Sequence, residues 1–289
     1  MKDKILLFLK GILMGICDLV PGISGGTIAF ITGIYERLIN AVKGFSIDTL
    51  LKRKFKRLDL GFLIVLLLGI FTALILGSGI IKFLLENYFV YTMAFFIGLI
   101  VASSFIIFEH IKNHGFKDIL FGILGFILGI SLTFLIPVEV NPTYPYIFLG
   151  GFVGISAMFL PGISGAFILL ILGIYEFMIN VLHNITNNLD YLFVFGLGAI
   201  LGAFFISRLI SYLFKKDRCK TLYFLLGLVL GALSIPIKRV FEYSEEFDFI
   251  SLIVMLGLFL IGIYLVLLVR KYGSSYRDKL EDIEEKVFD

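Results

Sequence analysis

A stretch of sixteen residues occurs twice in this chain, and each copy interrupts a long apolar segment. The copies are PGISGGTIAFITGIYE at 21–36 and PGISGAFILLILGIYE at 161–176, and eleven of their sixteen positions are identical. Proline ends an incoming helix, and glycine removes side chains from the turn. Serine and glycine leave backbone N–H groups free at the start of the outgoing helix, where the helix dipole favours negative charge. The stretch therefore predicts two helix breaks, each a candidate anion site.

The composition is that of a membrane protein. Hydrophobic residues make up 59% of the 289 positions, charged residues make up 16%, and the mean hydropathy is +1.03. A soluble core cannot hide this much apolar surface. Six apolar runs have about the 20 residues that a bilayer-crossing helix needs. These predicted spans are Leu60–Ile81, Tyr88–Phe108, Ile119–Ile136, Leu192–Phe214, Thr221–Ile237 and Phe249–Val269.

The order of these segments predicts an all-α polytopic membrane protein made of two similar halves. Each half has a broken helical hairpin followed by three transmembrane helices. The first half covers about 1–136, the second covers about 146–270, and a cytoplasmic tail follows at 271–289. The Pro-rich connection between the halves contains no Lys or Arg. Together they form a single transmembrane domain, residues 1–289.

The distribution of basic residues predicts how the chain is oriented. If each hairpin enters and leaves on one face and three crossings follow, 21 of the 25 Lys and Arg residues lie on the face that holds both termini. Such residues accumulate in cytoplasmic loops, so both termini are expected in the cytoplasm and the protein in the cytoplasmic membrane. Because each half contributes an odd number of crossings, the second half is expected to be inverted relative to the first.

The charge distribution leaves open whether the hairpins cross the membrane or turn inside it. Both forms return the chain to the same face. Arms of about 16 residues reach only about 24 Å, less than the hydrocarbon core of about 30 Å, which favours re-entrant hairpins. Irregular backbone at this depth must be covered by protein or water, so the two tips are expected to face each other in the interior.

The two tips supply the candidate anion-binding residues. An alternative interpretation is that their small residues only allow close helix packing. Two copies in inverted orientation favour ligand binding, since packing alone does not explain a duplicated break at this depth. The candidate residues are Pro21, Gly22, Ser24, Gly25, Gly26, Thr27, Pro161, Gly162, Ser164 and Gly165.

A few charged residues within apolar segments are further candidates. Asp18 precedes the first tip, where the second half has Met158; it is expected either to orient the loop or to exchange a proton. Arg208 is expected either to pair with an anionic ligand or to extend to the cytoplasmic face. Glu36 and Glu176 end the two outgoing arms, at an interface or as gating and ion-coupling groups. No catalytic triad, metal-ligand set, cofactor motif or nucleic-acid-binding pattern is recognised.

These residues resemble a known family. Asp18, PGISGGT, GIYE and the second PGISG with its LGIYE are similar to the polyprenyl-phosphate transporter family over nearly the whole chain. The resemblance implies translocation of undecaprenyl phosphate, or a related polyprenyl phosphate, back to the cytoplasmic leaflet. It also implies that Asp18, both loops and Arg208 contribute to the site. Ala166 and Phe167 replace Gly26 and Thr27 in the second loop, so the two loops need not have equal roles.

The sequence thus predicts a non-enzymatic lipid transporter that binds a phosphate head group at the two loops and exposes it alternately to each face. Coupling to protons or to sodium stays open. One alternative is a transporter of a small anion or solute on the same plan. Another is a polyprenyl-pyrophosphate phosphatase, a family that also uses duplicated broken helices but has arginine after the serine, where this chain has Gly25 and Gly165.

Overall fold

The computed structural model describes residues 2–20, 22–45, 58–109, 111, 115–183, 185–243 and 248–288. These residues form thirteen α-helices and two short 3-10 turns, and none of them lies in a β-strand. The helices are α1 (Lys2–Asp18), α2 (Gly25–Ile31), α3 (Tyr35–Gly44), α4 (Leu60–Asn87), α5 (Phe89–Glu109), α6 (Phe116–Ser131), α7 (Tyr144–Met158), α8 (Gly165–Ile171), α9 (Tyr175–His183), α10 (Leu189–Lys216), α11 (Arg218–Ala232), α12 (Ser234–Tyr243) and α13 (Phe249–Phe288).

Six helical segments in the described part of the chain are long and apolar enough to cross a membrane, which confirms an all-helical polytopic membrane protein. They correspond to the six predicted spans, with different ends. Helices α4 and α10 have 28 residues each, and at 1.5 Å per residue each is about 42 Å long. The fifth span is a longer segment, Arg218–Tyr243, in which α11 and α12 meet at Leu233. Helix α13 continues through the predicted tail to Phe288.

Each outgoing arm of the hairpins breaks a second time, which the sequence analysis did not predict. It treated the arm as one helix, but α2 and α8 have only seven residues. Glycine ends each of them in the left-handed region, with φ of 71° at Gly33 and 68° at Gly173. Helices α8 and α9 consequently meet at an angle of 114°.

Backbone hydrogen bonds explain why these arms end where they do. After α2, the N–H of Ile34 donates to Ala29 over 3.0 Å, and the N–H of Gly33 donates to Phe30 over 3.2 Å. This pair of bonds is the Schellman motif, which satisfies the last carbonyls of a helix. The same two bonds follow α8. Glu36 and Glu176 therefore lie in the first turn of new helices, α3 and α9, not at the ends of the first arms.

Four helix pairs pack with their backbones close together. Helix α1 packs along α4, α7 along α10, α5 along α13, and α6 along α11. In every pair a glycine of each helix faces a backbone carbonyl of the other, and a Cβ atom at that glycine would collide with it. Small residues allow this approach between membrane helices. The glycines are Gly11 and Gly69, Gly151 and Gly198, Gly98 and Gly262, and Gly125 and Gly227.

Candidate functional site

The first loop is held by two hydrogen bonds at the start of α2. Ser24 is the N-cap, and its Oγ accepts from the N–H of Gly26 over 3.1 Å. Asp18, the last residue of α1, accepts the N–H of Gly25 at Oδ1 over 2.7 Å. A Cβ atom at Gly25 would lie 2.8 Å from the carbonyl oxygen of Met14, so only glycine fits there. The N–H of Gly25 is therefore already bonded to Asp18 and is not available to a bound anion.

The second loop has the same shape but lacks the acid. Ser164 caps α8 and accepts from the N–H of Phe167 over 3.5 Å. The side chain of Met158 occupies the space beside Gly165 where Asp18 lies in the first half. Within the part of the chain that the structure describes, the N–H groups of Gly165 and Ala166 have no hydrogen-bond acceptor. The second loop therefore keeps two unused donors at the start of α8, whereas the equivalent groups of the first loop, the N–H groups of Gly25 and Gly26, are bonded.

The two tips contact each other in the interior of the protein. Thr27 Oγ1 accepts from the N–H of Gly162 over 2.8 Å. A Cβ atom at Gly26 would lie 2.7 Å from the carbonyl oxygen of Met158. The side chains of Ser24, Thr27 and Ser164 are all buried. The tips, Ile100 of α5 and residues of α11 surround a space too narrow for a water molecule.

A further hydrogen bond joins the halves beside the tips. The hydroxyl of Tyr35 in α3 donates to the carbonyl of Phe159 over 2.8 Å, and the Tyr35 ring meets the ring of Phe214 edge to face. Tyr35 is 2% exposed, whereas Tyr175, its equivalent in the second half, is 37% exposed. The arm of the first hairpin is consequently packed more tightly against the other half.

The other predicted charged residues lie away from this contact. Glu36 forms an ion pair of 2.8 Å with Arg218, and Glu176 is exposed in α9. Arg208 is exposed and donates to the carbonyl of Phe204 on its own helix over 3.2 Å. Pro161 is fully buried in the second loop, while Pro21 lies outside the described residues.

Lys10 is a site residue that the sequence analysis missed. Its side chain is only 6% exposed, and its Nζ donates to the carbonyl of Thr32 over 2.7 Å. That carbonyl lies at the end of α2, where the bend begins. A lysine within the apolar run Ile5–Val20 was the available indication, because buried charges in membrane segments are expensive.

The described residues contain no group of three or more His, Cys, Asp or Glu side chains placed to hold a metal ion. The polar groups of the tips are hydroxyls, backbone N–H groups and one carboxylate. Such a set can bind an oxyanion through hydrogen bonds when the tips separate.

Comparison with known proteins identifies relatives of this chain. The family model described as VCA0040-like, undecaprenyl phosphate translocase-like, matches residues 14–250. A polyprenyl-phosphate transporter of Vibrio cholerae is 38% identical over 233 residues, which cover 78% of this chain and 75% of that protein. A polyprenyl-phosphate transporter of Staphylococcus aureus is 30% identical over 243 residues, covering 78% and 83%. No solved structure matches the chain significantly.

The family match extends over both halves, from within α1 to the start of α13, and includes both loops. The Vibrio relative covers most of both proteins at more than 30% identity. The resemblance found in the sequence motifs is thereby confirmed, and the chain belongs to the undecaprenyl phosphate translocase-like family.

Proposed function

We propose that the chain is a polyprenyl-phosphate transporter of the cytoplasmic membrane, with both termini in the cytoplasm, that returns its lipid to the cytoplasmic leaflet. The contact between the two loop tips carries this proposal. Thr27 and Gly162, from opposite halves, place hydroxyl and N–H groups together among apolar helices. Both relatives are named for the transport of a polyprenyl phosphate, which agrees with a phosphate-binding role for these groups.

The available donors suit a phosphate monoester. Such a group carries about −1.5 to −2 charges at neutral pH and has three acceptor oxygens. The second loop offers the N–H groups of Gly165 and Ala166, and separation of the tips would release the N–H of Gly162. The hydroxyls of Ser24 and Ser164 lie beside these donors. The prenyl tail, which needs no polar partner, would stay in the lipid.

The difference between the halves supports alternating access. In the inverted arrangement, α3 lies toward the cytoplasm and α9 lies toward the outside. The burial of Tyr35 and the exposure of Tyr175 then correspond to a conformation closed toward the cytoplasm. Opening that side would break the bond between Tyr35 and Phe159 and the ion pair between Glu36 and Arg218. The corresponding closure on the outer side would bring α9, with Glu176, against α4.

Asp18 is the proposed site of ion coupling. Its carboxylate holds the N–H of Gly25, one of the donors that a bound phosphate would use. Two anions on the same loop repel each other, so phosphate binding and protonation of Asp18 favour one another. Transport would then be linked to a proton gradient. A bound sodium ion would reduce the repulsion in the same way, and the two cases differ in which gradient drives transport.

The test uses purified protein in liposomes that contain a short-tailed fluorescent polyprenyl phosphate. The decrease in outer-leaflet fluorescence is followed with no gradient, with a pH gradient and with a sodium gradient. We expect protein-dependent transport. The double variant Ser24→Ala/Ser164→Ala removes two hydroxyls that contact a charged ligand, and its rate should fall about tenfold or more. In a parallel sample that contains a polyprenyl diphosphate, the release of inorganic phosphate is measured.

The control variant is Ser78→Ala/Ser131→Ala. Both serines are on exposed parts of helices and bond to their own helix backbone, so transport should be unchanged. Full activity of the Ser24/Ser164 variant would contradict phosphate binding at the loops. Absence of lipid transport together with transport of a soluble anion would favour the small-anion alternative. Phosphate release from the diphosphate would favour the phosphatase.

A further inference from the structure

One cationic side chain of α3 bonds to a face of α10 that carries two more. Lys43 Nζ donates to Ser211 Oγ over 2.8 Å, and Ser211 in turn contacts Asn40 over 3.4 Å. On α10, Arg208 lies three residues before Ser211 and Lys215 lies four residues after it. Residues at these spacings share one face of a helix. The amine of Lys43 is therefore bonded to the residue that lies between Arg208 and Lys215 on this face, and we call these three residues the seam cations.

The seam cations have no acidic partner among the described residues. Of the acids that the structure describes, the two nearest in sequence are paired elsewhere, Glu36 with Arg218 and Asp217 with Lys220. Burial, followed by the charges of Lys215 and Arg208, lowers the pKa of Lys43 from its ordinary value. Like charges brought together without a counter-ion are mutually unfavourable. This arrangement costs free energy that an anion would recover.

Exposed apolar side chains lie beside Arg208 on α10. On α10, Phe205 and Leu209 flank Arg208 and are 54% and 39% exposed, and both belong to a span long enough to cross the bilayer. An anion that binds here therefore has an apolar surface immediately beside it. A free phosphate makes no use of that surface, whereas a phosphate attached to a hydrocarbon tail does.

We propose that the seam cations bind the phosphate group of a prenyl phosphate at the cytoplasmic end of its path. This inference rests on the proposed function and adds a second phosphate site to it. Lys43 belongs to the first half, and Arg208 and Lys215 belong to the second. When α3 and α10 separate, Lys43 loses Ser211 and gains access to the phosphate. The arriving head group thus replaces the bond that keeps the cytoplasmic side closed.

The test locates the bound phosphate directly. Full-length protein in phosphatidylcholine nanodiscs is labelled with a farnesyl phosphate that carries a photoreactive diazirine near the phosphate, and labelled peptides are identified by mass spectrometry. We expect labels on α3 and α10 at the seam and separate labels at the loops. Lys43→Gln/Lys215→Gln removes two charged contacts and should lower seam labelling about tenfold, with loop labelling unchanged. A protein with Lys43→Arg should keep most of the seam labelling that a protein with Lys43→Gln loses.

Two variants separate charge from packing. Lys216→Gln removes one charge from the adjacent position on α10, whose amine lies over the ring of Tyr212, and labelling should not change. Ser211→Ala removes the bond to Lys43 but keeps all three charges, so seam labelling should be equal or stronger. A loss in Ser211→Ala equal to that in the Lys43/Lys215 variant would overturn the proposal.

Competition for seam labelling identifies the ligand. The transport assay distinguishes failure of the seam site from failure of the proposed transport function. Unlabelled farnesyl phosphate should reduce seam labelling, whereas farnesol and inorganic phosphate should not. Equal competition by inorganic phosphate would overturn a lipid-phosphate site. If wild-type protein transports the fluorescent lipid while seam labelling is absent, the seam site is wrong and the transport function stands. If the seam is labelled but no lipid moves, the site stands and the transport function is wrong.

Discussion

At the scale of residues, the two loops have nearly the same sequence but different hydrogen bonds. In the first loop the N–H of Gly25 is bonded to Asp18, whereas in the second loop Met158 lies beside Gly165 and none of the described residues accepts the N–H of Gly165. Thr27 bonds across to Gly162, but Phe167 stands at the equivalent position and cannot return such a bond. Substitutions at equivalent positions of the two loops are therefore expected to have unequal effects.

Two substitutions of Asp18 separate the effect of its hydrogen bond from the effect of its charge. Asp18→Ala leaves the buried N–H of Gly25 without its acceptor, which costs about 1–3 kcal/mol in the free energy of unfolding. Asp18→Asn keeps an acceptor oxygen and should retain most of that stability, but it cannot exchange a proton. We expect its transport to lose any dependence on a pH gradient. Unfolding in detergent and gradient-driven transport measure the two effects.

The control for Asp18 is Asp3, which is exposed in the first turn of α1. Asp3→Ala and Asp3→Asn should unfold at nearly the same temperature as wild-type protein. Two results would contradict the roles given to Asp18. One is equal stability of Asp18→Ala and wild type, and the other is unchanged proton dependence in Asp18→Asn.

At the scale of elements, the long helices and the first break of each hairpin were predictable, but the second break in each outgoing arm was not. Each span is a long apolar run, and hydrophobicity alone is enough to place it. The second break in each arm lies inside continuous apolar sequence. The main feature of the sequence that indicates it is one glycine, Gly33 or Gly173. A single glycine also occurs in straight membrane helices, where it serves packing, as at Gly98. Local sequence therefore does not distinguish the two uses.

The candidate site was predictable in part for a similar reason. The loop serines follow from the repeated motif, because capping is local. The roles of Lys10 and Tyr35 depend on partners that are distant in sequence, Thr32 and Phe159. Such contacts arise from tertiary packing, which a single sequence does not display. The predicted meeting of the two tips came from the cost of irregular backbone in lipid, a constraint on the whole fold.

Gly173 tests the importance of the bend. Gly173→Ala places a side chain in the left-handed region, which costs about 1 kcal/mol, and its Cβ atom would also collide with the carbonyl oxygen of Val138. We expect a lower unfolding temperature and slower transport. Gly196→Ala is the control, since no neighbouring atom lies within 4 Å of its Cβ position on α10. Equal stability of the two variants would show that the bend is not required.

At the scale of the whole molecule, the contact between α3 and α10 has no counterpart of similar size between α9 and α4 in the part of the chain that the structure describes. Its polar bonds join Lys43 and Asn40 to Ser211. By the internal repeat, the equivalent positions of Asn40 and Ser211 are Asn180 on α9 and Lys82 on α4. Both of these residues are exposed, and no hydrogen bond joins them. Alternating access predicts that the two contacts form in turn.

Disulfide cross-linking tests this prediction. In a protein whose Cys17 and Cys219 are replaced by alanine, Asn40→Cys/Ser211→Cys should cross-link readily under mild oxidation because the two side chains already touch. In the proposed orientation the cross-link would hold the cytoplasmic side closed, so it should abolish lipid transport in liposomes. Reduction of the disulfide should restore transport. Transport at the normal rate by the cross-linked protein would contradict alternating access at this contact.

The pair Lys82→Cys/Asn180→Cys provides the comparison in the same background. These positions should cross-link slowly, and added prenyl phosphate should increase the rate by favouring closure of the outer side. A cross-linking rate that does not change when prenyl phosphate is added would contradict this expectation. Disulfide formation in the two cysteine pairs together reports the closure of each side in the proposed cycle.

The glycine contacts hold eight helices in four close-packed pairs, α1 with α4, α7 with α10, α5 with α13, and α6 with α11. Sliding within a pair would drive backbone against backbone, so we expect each pair to move as a unit. The first two pairs each contain the incoming helix of one hairpin and so carry one loop. A cycle of alternating access would then need only the movement of these two pairs relative to the others, and a ligand that lodges between pairs would stop it.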